Sequence, residues 1–273
     1  MATNISNTAD TAEPKRGFTA GDAVLSGLFA ALVIACGIAL TYDFRALLAE
    51  QEGYAPGTPA RFQPAPLRSP GTDDQVRPYD PSGAPRLLGE PVELPGFDGN
   101  PQDVISQPMS FHLGEEGEAT AIGRITLGSF SRFEDFLAEQ EGLARITFHS
   151  PGGSVRDAFA MADIIRANDL STAVARNGYC ASSCPLAFAG GIERTAPDPV
   201  WFGVHQVFTS EAEIGTLQEG MAGAQHISSE AQQLLDDMGV DPRAWIHAMA
   251  TPKEQLYLFT DEEMAEYQWV TDN

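Results

Sequence analysis

Apolar positions along the chain follow three patterns. Residues 23–42, AVLSGLFAALVIACGIALTY, carry no charge over twenty positions and show no polar face. A helix of that length, at ~1.5 Å per residue, matches the hydrocarbon core of a bilayer. From 51 to 108 apolar residues are scattered among prolines and glycines, as in YAPGTPARFQPAPLRSPG and YDPSGAP. Proline-rich chain of this kind is stiff and extended, which predicts a spacer. Beyond Met109 short apolar, β-branched runs alternate with stretches of helical spacing. The runs 120–127, 145–149, 171–175 and 200–204 read as strands. The stretches 132–141, 155–167 and 210–238 read as helices, the second with Ala158, Met161, Ile164 and Ile165 along one face. Strands separated by helices of this length predict parallel β-α-β units.

The patterns divide the chain into a disordered N-terminus (1–18), an anchor (19–43), a linker (44–108) and a folded body (109–273). A buried core helix and a cleaved signal peptide are the rival readings of the apolar run. The first needs partner faces that nothing nearby offers; the second needs a shorter run ending in a small-x-small site. Lys15 and Arg16 precede the run, and Arg45 follows it with acidic residues close behind. The positive-inside rule then gives a cytoplasmic N-terminus and an exported body: a single-pass inner-membrane protein with its C-terminal domain in the periplasm.

Charge and cysteine content narrow the function. The 273 residues hold 38 acidic and 16 basic side chains, a formal net charge of −22. Such a surface repels phosphate backbones and excludes nucleic acid as a partner. Of the three cysteines, Cys180 and Cys184 lie four apart, a poor zinc pattern without further Cys or His. No metal and no cofactor is expected.

Two glycine-bearing junctions and one histidine carry the candidate chemistry. Ser150-Pro151-Gly152-Gly153-Ser154-Val155 lies between a strand and a helix, where paired glycines allow close backbone approach and helix N-terminal amides favour developing negative charge. Tyr179-Cys180-Ala181-Ser182-Ser183-Cys184-Pro185 repeats that arrangement with serines at the turn. Gly203-Val204-His205-Gln206 ends an apolar strand. Taken singly, these read as a tight turn, a helix N-cap and a hydrogen-bonded histidine.

Their order and spacing resemble the proteolytic subunit of Clp protease, within the Clp protease/crotonase superfamily. They are most similar to its membrane-tethered periplasmic members with a C-x-S-x-C motif. The resemblance covers about residues 123–270 and includes Gly123-Arg124-Ile125 and Glu263-Met264-Ala265-Glu266-Tyr267. It implies an α/β superhelix of β-β-α units, a peptide or protein substrate, and assembly into a homo-oligomer. It further implies Ser182 as nucleophile, His205 as general base, and the amides of Gly152 and Ser183 as oxyanion hole.

Counting back from Glu266-Tyr267 puts Leu256 where the family carries its aspartate. Glu254 and Asp261 are the candidate substitutes, and a Ser–His dyad is the remaining option. A Ser–Lys dyad finds only Lys253 in the body, and an acyl-CoA site finds few cations for the CoA phosphates. A pseudo-peptidase that holds peptides without cleaving them is the alternative function, and a tethered assembly scaffold a third. If the serine turn is helical, Cys180 and Cys184 stand within disulfide reach. Two packed thiols or a redox pair are the other readings.

Overall fold

The computed structural model describes residues 20–52, 74–81, 92–208 and 217–271. The chain forms two units, Met1–Phe62 and Gln63–Asn273. In the first, α1 spans Ala20–Glu52, about 50 Å at ~1.5 Å per residue. Val24, Leu28, Phe29, Leu32, Ile34 and Ile38 are all exposed on it. Among the described residues no helix is long and apolar enough to cross a membrane; the side chains at 20, 22, 25, 39 and 42–52 of α1 lie outside that description. The N-terminal stretch expected to be disordered, 1–18, lies outside it altogether.

The second unit is a mixed α/β body. In chain order its strands are β1 Val76–Pro78, β2 Ser110–Leu113, β3 Glu118–Ile122, β4 Arg145–His149, β5 Ser171–Val174, β6 Tyr179–Ala181, β7 Arg194–Thr195, β8 Trp201–Val204 and β9 Gln255–Leu258. Its helices are α2 Pro101–Val104, α3 Ser129–Ala138, α4 Val155–Ala167, α5 Cys184–Phe188, α6 Leu217–Asp237, α7 Ala244–Ala250 and α8 Asp261–Glu266. One sheet has the order β2-β3-β4-β5-β7 and the other β1-β9-β8-β6. The β3-β4-β5-β7 run is parallel, as expected of β-α-β units; β2, β9 and β1 add antiparallel strands.

Side-chain period builds the core. Ile146 and Phe148 of β4 point with Ala119, Ala121 and Val174 into one apolar cluster, while Thr147 and His149 turn to the opposite face. Helix α4 buries Ala158, Met161, Ala162 and Ile165, three or four residues apart, against that cluster, and Ser154 caps it by accepting from the Asp157 amide. Arg194 and Arg166 are held by carbonyls rather than carboxylates. Arg194 donates to the oxygens of Gly191, Gln268 and Trp269 at 2.9 Å, tying the C-terminal turn to the loop after α5. Burial brings the Arg194 guanidinium down to about 10.

Three boundaries differ from the sequence pattern. The helix read at 132–141 runs Ser129–Ala138, three residues earlier at each end. The strand read at 120–127 stops at Ile122, because Gly123 takes φ +109 and lies against the Gln107 carbonyl, where a Cβ would come within 2.8 Å. Within the stretch read as a linker, 44–108, residues 74–81 and 92–108 pack on the body. Leu94 and Ile105 are buried, and β1 pairs with β9. Their apolar positions stand singly among prolines and glycines, so no period announced them.

His149 ends β4 buried, with neither ring nitrogen hydrogen-bonded among the described residues. Burial disfavours its cation and pushes it down from 6.5 to about 4. As pH falls below the unfolded value the unfolded chain takes up a proton that the fold refuses. The stabilising effect is complete above pH 6.5 and is lost progressively as pH approaches 4. Urea unfolding at pH 7 and pH 4 is expected to show wild type losing about 3 kcal/mol more than His149→Leu over that interval; equal losses would show that His149 titrates normally.

Candidate active site

The two glycine-bearing junctions lie against one another. After β4 the chain continues beside β6: the Ser150 amide donates to the Tyr179 carbonyl at 2.7 Å and the Ala181 amide to the Ser150 carbonyl at 3.0 Å. Gly152 and Gly153 follow with φ of +84 and +143. A Cβ on Gly152 would collide with the Ala181 carbonyl and come within 2.7 Å of Ser182 Cβ; one on Gly153 would strike the Ile125 carbonyl. Only glycine permits this approach. The Gly153 amide donates to Ser183 Oγ at 2.8 Å, so the glycine loop and the serine turn form one hydrogen-bonded unit.

Ser182 stands at the tip of the turn between β6 and α5 with φ +63, a left-handed conformation that costs a serine about 1 kcal/mol or more. Its amide donates to the Gly203 carbonyl of β8 at 2.9 Å. A disulfide joins Cys180 and Cys184 across it, with Cα atoms 5.2 Å apart, so the bond closes a small loop around Ser182. Ser183 is buried, and its hydroxyl serves the Gly153 amide rather than solvent. The geometry thus separates the two serines: Ser182 is partly exposed at a strained position, and Ser183 is structural.

His205 extends the face of β8 that carries Trp201 and Gly203, and it is buried. Its Nδ1 lies 2.9 Å from the Gln206 carbonyl. A carbonyl only accepts, so Nδ1 carries the proton and Nε2 presents a lone pair. That Nε2 is buried and makes no hydrogen bond among the described residues. Burial lowers the imidazole below the ordinary histidine range, opposed by the Gln206 carbonyl and the Glu254 carboxylate. Tyr79 and Phe208 flank the ring at centroid distances of 4.6 and 5.9 Å.

The remaining expected residues are placed unequally. The Gly152 amide donates to Ser150 Oγ at 3.0 Å, so a substrate oxygen must replace that hydroxyl to use it. The Ser183 amide makes no hydrogen bond among the described residues. Glu254 reaches His205 only through space and lies 3.8 Å from Lys253. Asp261 begins α8 beside Glu262, under the influence of Asp198, with no bond to the imidazole. Leu256 is a buried β9 residue paired with Arg77. The orienting partner of His205 is therefore main chain, which no search for an acid in the sequence could reveal.

Tyr79 was not anticipated either. Its hydroxyl donates to the Pro151 carbonyl at 2.6 Å. Burial raises the phenol to about 12, opposed by a hydrogen-bonding interaction with Ser182. It falls in proline-rich sequence far from every motif, and only the pairing of β1 with β9 brings it in. No family model matches the chain, and no curated protein shows significant similarity to it.

Reduction opens the loop around Ser182. Closure of so small a loop is worth about 2 kcal/mol, and reductant is expected to lower the melting temperature by about 5 °C. Calorimetry of a Cys180→Ala/Cys184→Ala variant, which should melt equally with and without reductant, checks the assignment.

Proposed function

We propose that the body is a serine hydrolase acting on peptides or proteins, of the Clp protease/crotonase type in its superhelix of β-β-α units. Ser182 is its nucleophile and His205 its general base. The observation that carries this reading is a left-handed Ser182, built onto a loop of close-packed glycines and bonded through its amide to Gly203, two residues before an imidazole of fixed tautomer. Neutral His205 with Nε2 unprotonated is the form that can accept the hydroxyl proton. Attack by Ser182 Oγ on an acyl carbon would pass that proton to Nε2 and the carbonyl electrons to oxygen. The Ser183 amide, and Gly152 once Ser150 yields, would hold the oxyanion. The imidazolium then returns the proton to the leaving amine, and water repeats the sequence on the acyl-serine. With the Gln206 carbonyl at Nδ1, the site works as a dyad with neutral orientation rather than a charged triad.

The anchor belongs to the same proposal. The uncharged run 23–42 supports a single crossing of the inner membrane, with the body in the periplasm. Apolar side chains around the circumference of a helix suit lipid better than water. A disulfide beside the nucleophile suits an oxidising compartment.

A non-catalytic peptide-binding module is the second reading. It is favoured by the Gly152 amide being engaged with Ser150 and by the imidazole having no carboxylate bonded to it among the described residues. Fluorophosphonate labelling, which joins phosphorus to Ser Oγ with loss of fluoride, separates the two. Wild type is expected to label at Ser182, Ser182→Ala not at all, and His205→Ala at least ~100-fold more slowly while folded. Because His205 is held below the ordinary value of 6.5, the labelling rate should stay level through neutrality and fall only at more acidic pH. Labelling that survives in His205→Ala would remove His205 from the mechanism, and none in any folded form of the protein would leave the binding module.

A further inference from the structure

We propose that residues Asp74–Pro81 are an intramolecular plug that holds the site latent until an extended peptide displaces β1 from the edge of β9; this rests on the hydrolase reading above. The placement is specific. β1 pairs antiparallel with β9 through Val76↔Tyr257, Arg77↔Leu256 and Pro78↔Gln255. Alternate residues then face the same way: the Arg77 guanidinium lies 5.2 Å over the Trp201 ring, and Tyr79 lies 4.6 Å from the His205 ring. The Tyr79 amide donates to the Glu254 carbonyl at 2.9 Å, and Gln75 secures the other end. Gln75 Nε2 reaches Glu263 Oε2 at 2.5 Å, Tyr257 Oη at 3.0 Å and the Leu258 carbonyl at 3.0 Å.

Proton counting shows what the phenol does there. Tyr79 has one hydroxyl proton, and the Pro151 carbonyl receives it. With that proton committed, the phenol oxygen can act toward Ser182 only as an acceptor. His205 Nε2 is buried and without a hydrogen bond among the described residues. The ring thus lies against the base, and its oxygen competes with Nε2 for the Ser182 proton while β1 stays in place.

The plug is also built to leave. Three residues of strand on a sheet edge, one of them Pro78 without an N–H, form a marginal pairing. Once it departs, β9 offers an unpaired edge, the surface on which an extended peptide adds as a strand. The substrate class is therefore an extended chain segment that pairs with β9 as β1 does, rather than a folded loop or a small ester.

Full-length wild type, Tyr79→Phe, Tyr79→Ala and Gln75→Ala are compared for fluorophosphonate labelling of Ser182 and, by NMR, for the pKa of His205. Gln75 touches neither Ser182 nor His205, so Gln75→Ala tests displacement alone, and Tyr79→Phe keeps the ring while removing the acceptor. Labelling about tenfold faster in both, with His205 moving up toward its ordinary value in Gln75→Ala and Tyr79→Ala, is the expected result. Wild type that labels, with no variant faster, overturns the plug and leaves the hydrolase reading standing. No labelling in any protein fails the hydrolase reading; the titration then decides alone, an unmoved His205 overturning the plug and a raised one retaining it as a cover on a binding cleft. Should Tyr79→Ala not fold, Gln75→Ala and Tyr79→Phe decide by the same outcomes.

Discussion

The contact on which the rest of the body depends is the main-chain bridge between Ser150 and Cys180. It is where the five-stranded sheet, through the end of β4, meets the four-stranded sheet, through β6. Both elements then turn into helices, α4 and α5, within a few residues of the crossing. Two backbones can lie this close only if one side carries no Cβ, which is why Gly152 and Gly153 take left-handed angles against Ala181 and Ile125. The same closeness brings the Gly152 backbone against the Ser182 turn and ties Gly153 to Ser183. Fold and site are consequences of one steric condition.

Around that crossing the site is held mainly by neutral groups. Nδ1 of His205 faces a carbonyl, the Gly153 amide faces a serine hydroxyl, and Gly152 faces another. A carboxylate behind the imidazole would stabilise its cation strongly; a carbonyl does so weakly, and burial works against it. The balance holds the base below the ordinary histidine value, at the cost of a smaller electrostatic contribution when the imidazolium forms. Leu256, buried on β9, fits this arrangement: an acid there would be paired across the sheet with Arg77, within β1 itself.

How much was legible in the sequence follows from the range of each interaction. Helix α4 lies at Val155–Ala167 as its spacing predicts, and β4 at Arg145–His149, because period and capping are local. The disulfide was within reach for the same reason, four residues apart on one turn. The Ser182, Ser183 and His205 motifs were recognisable by their order. Tyr79 and the Gln206 carbonyl were not: the first depends on the long-range pairing of β1 with β9, Pro78 with Gln255 being the last matched pair before it; the second is a group that every residue possesses. For Asp261 and Glu254 proximity in sequence to Leu256 was a poor guide: among the described residues neither carboxylate bonds to the imidazole, and Glu254 acts on it only through space.

The anchor and the plug bear on one another through chain length. If residues 23–42 lie in a membrane, the stretch between α1 and β1 connects a fixed point to the segment that covers Ser182. Residues 53–75 span that interval. Chain of ~23 residues reaches at most ~75–83 Å. Tension on that stretch would act first on the three-residue pairing of β1, which is far weaker than the sheets behind it.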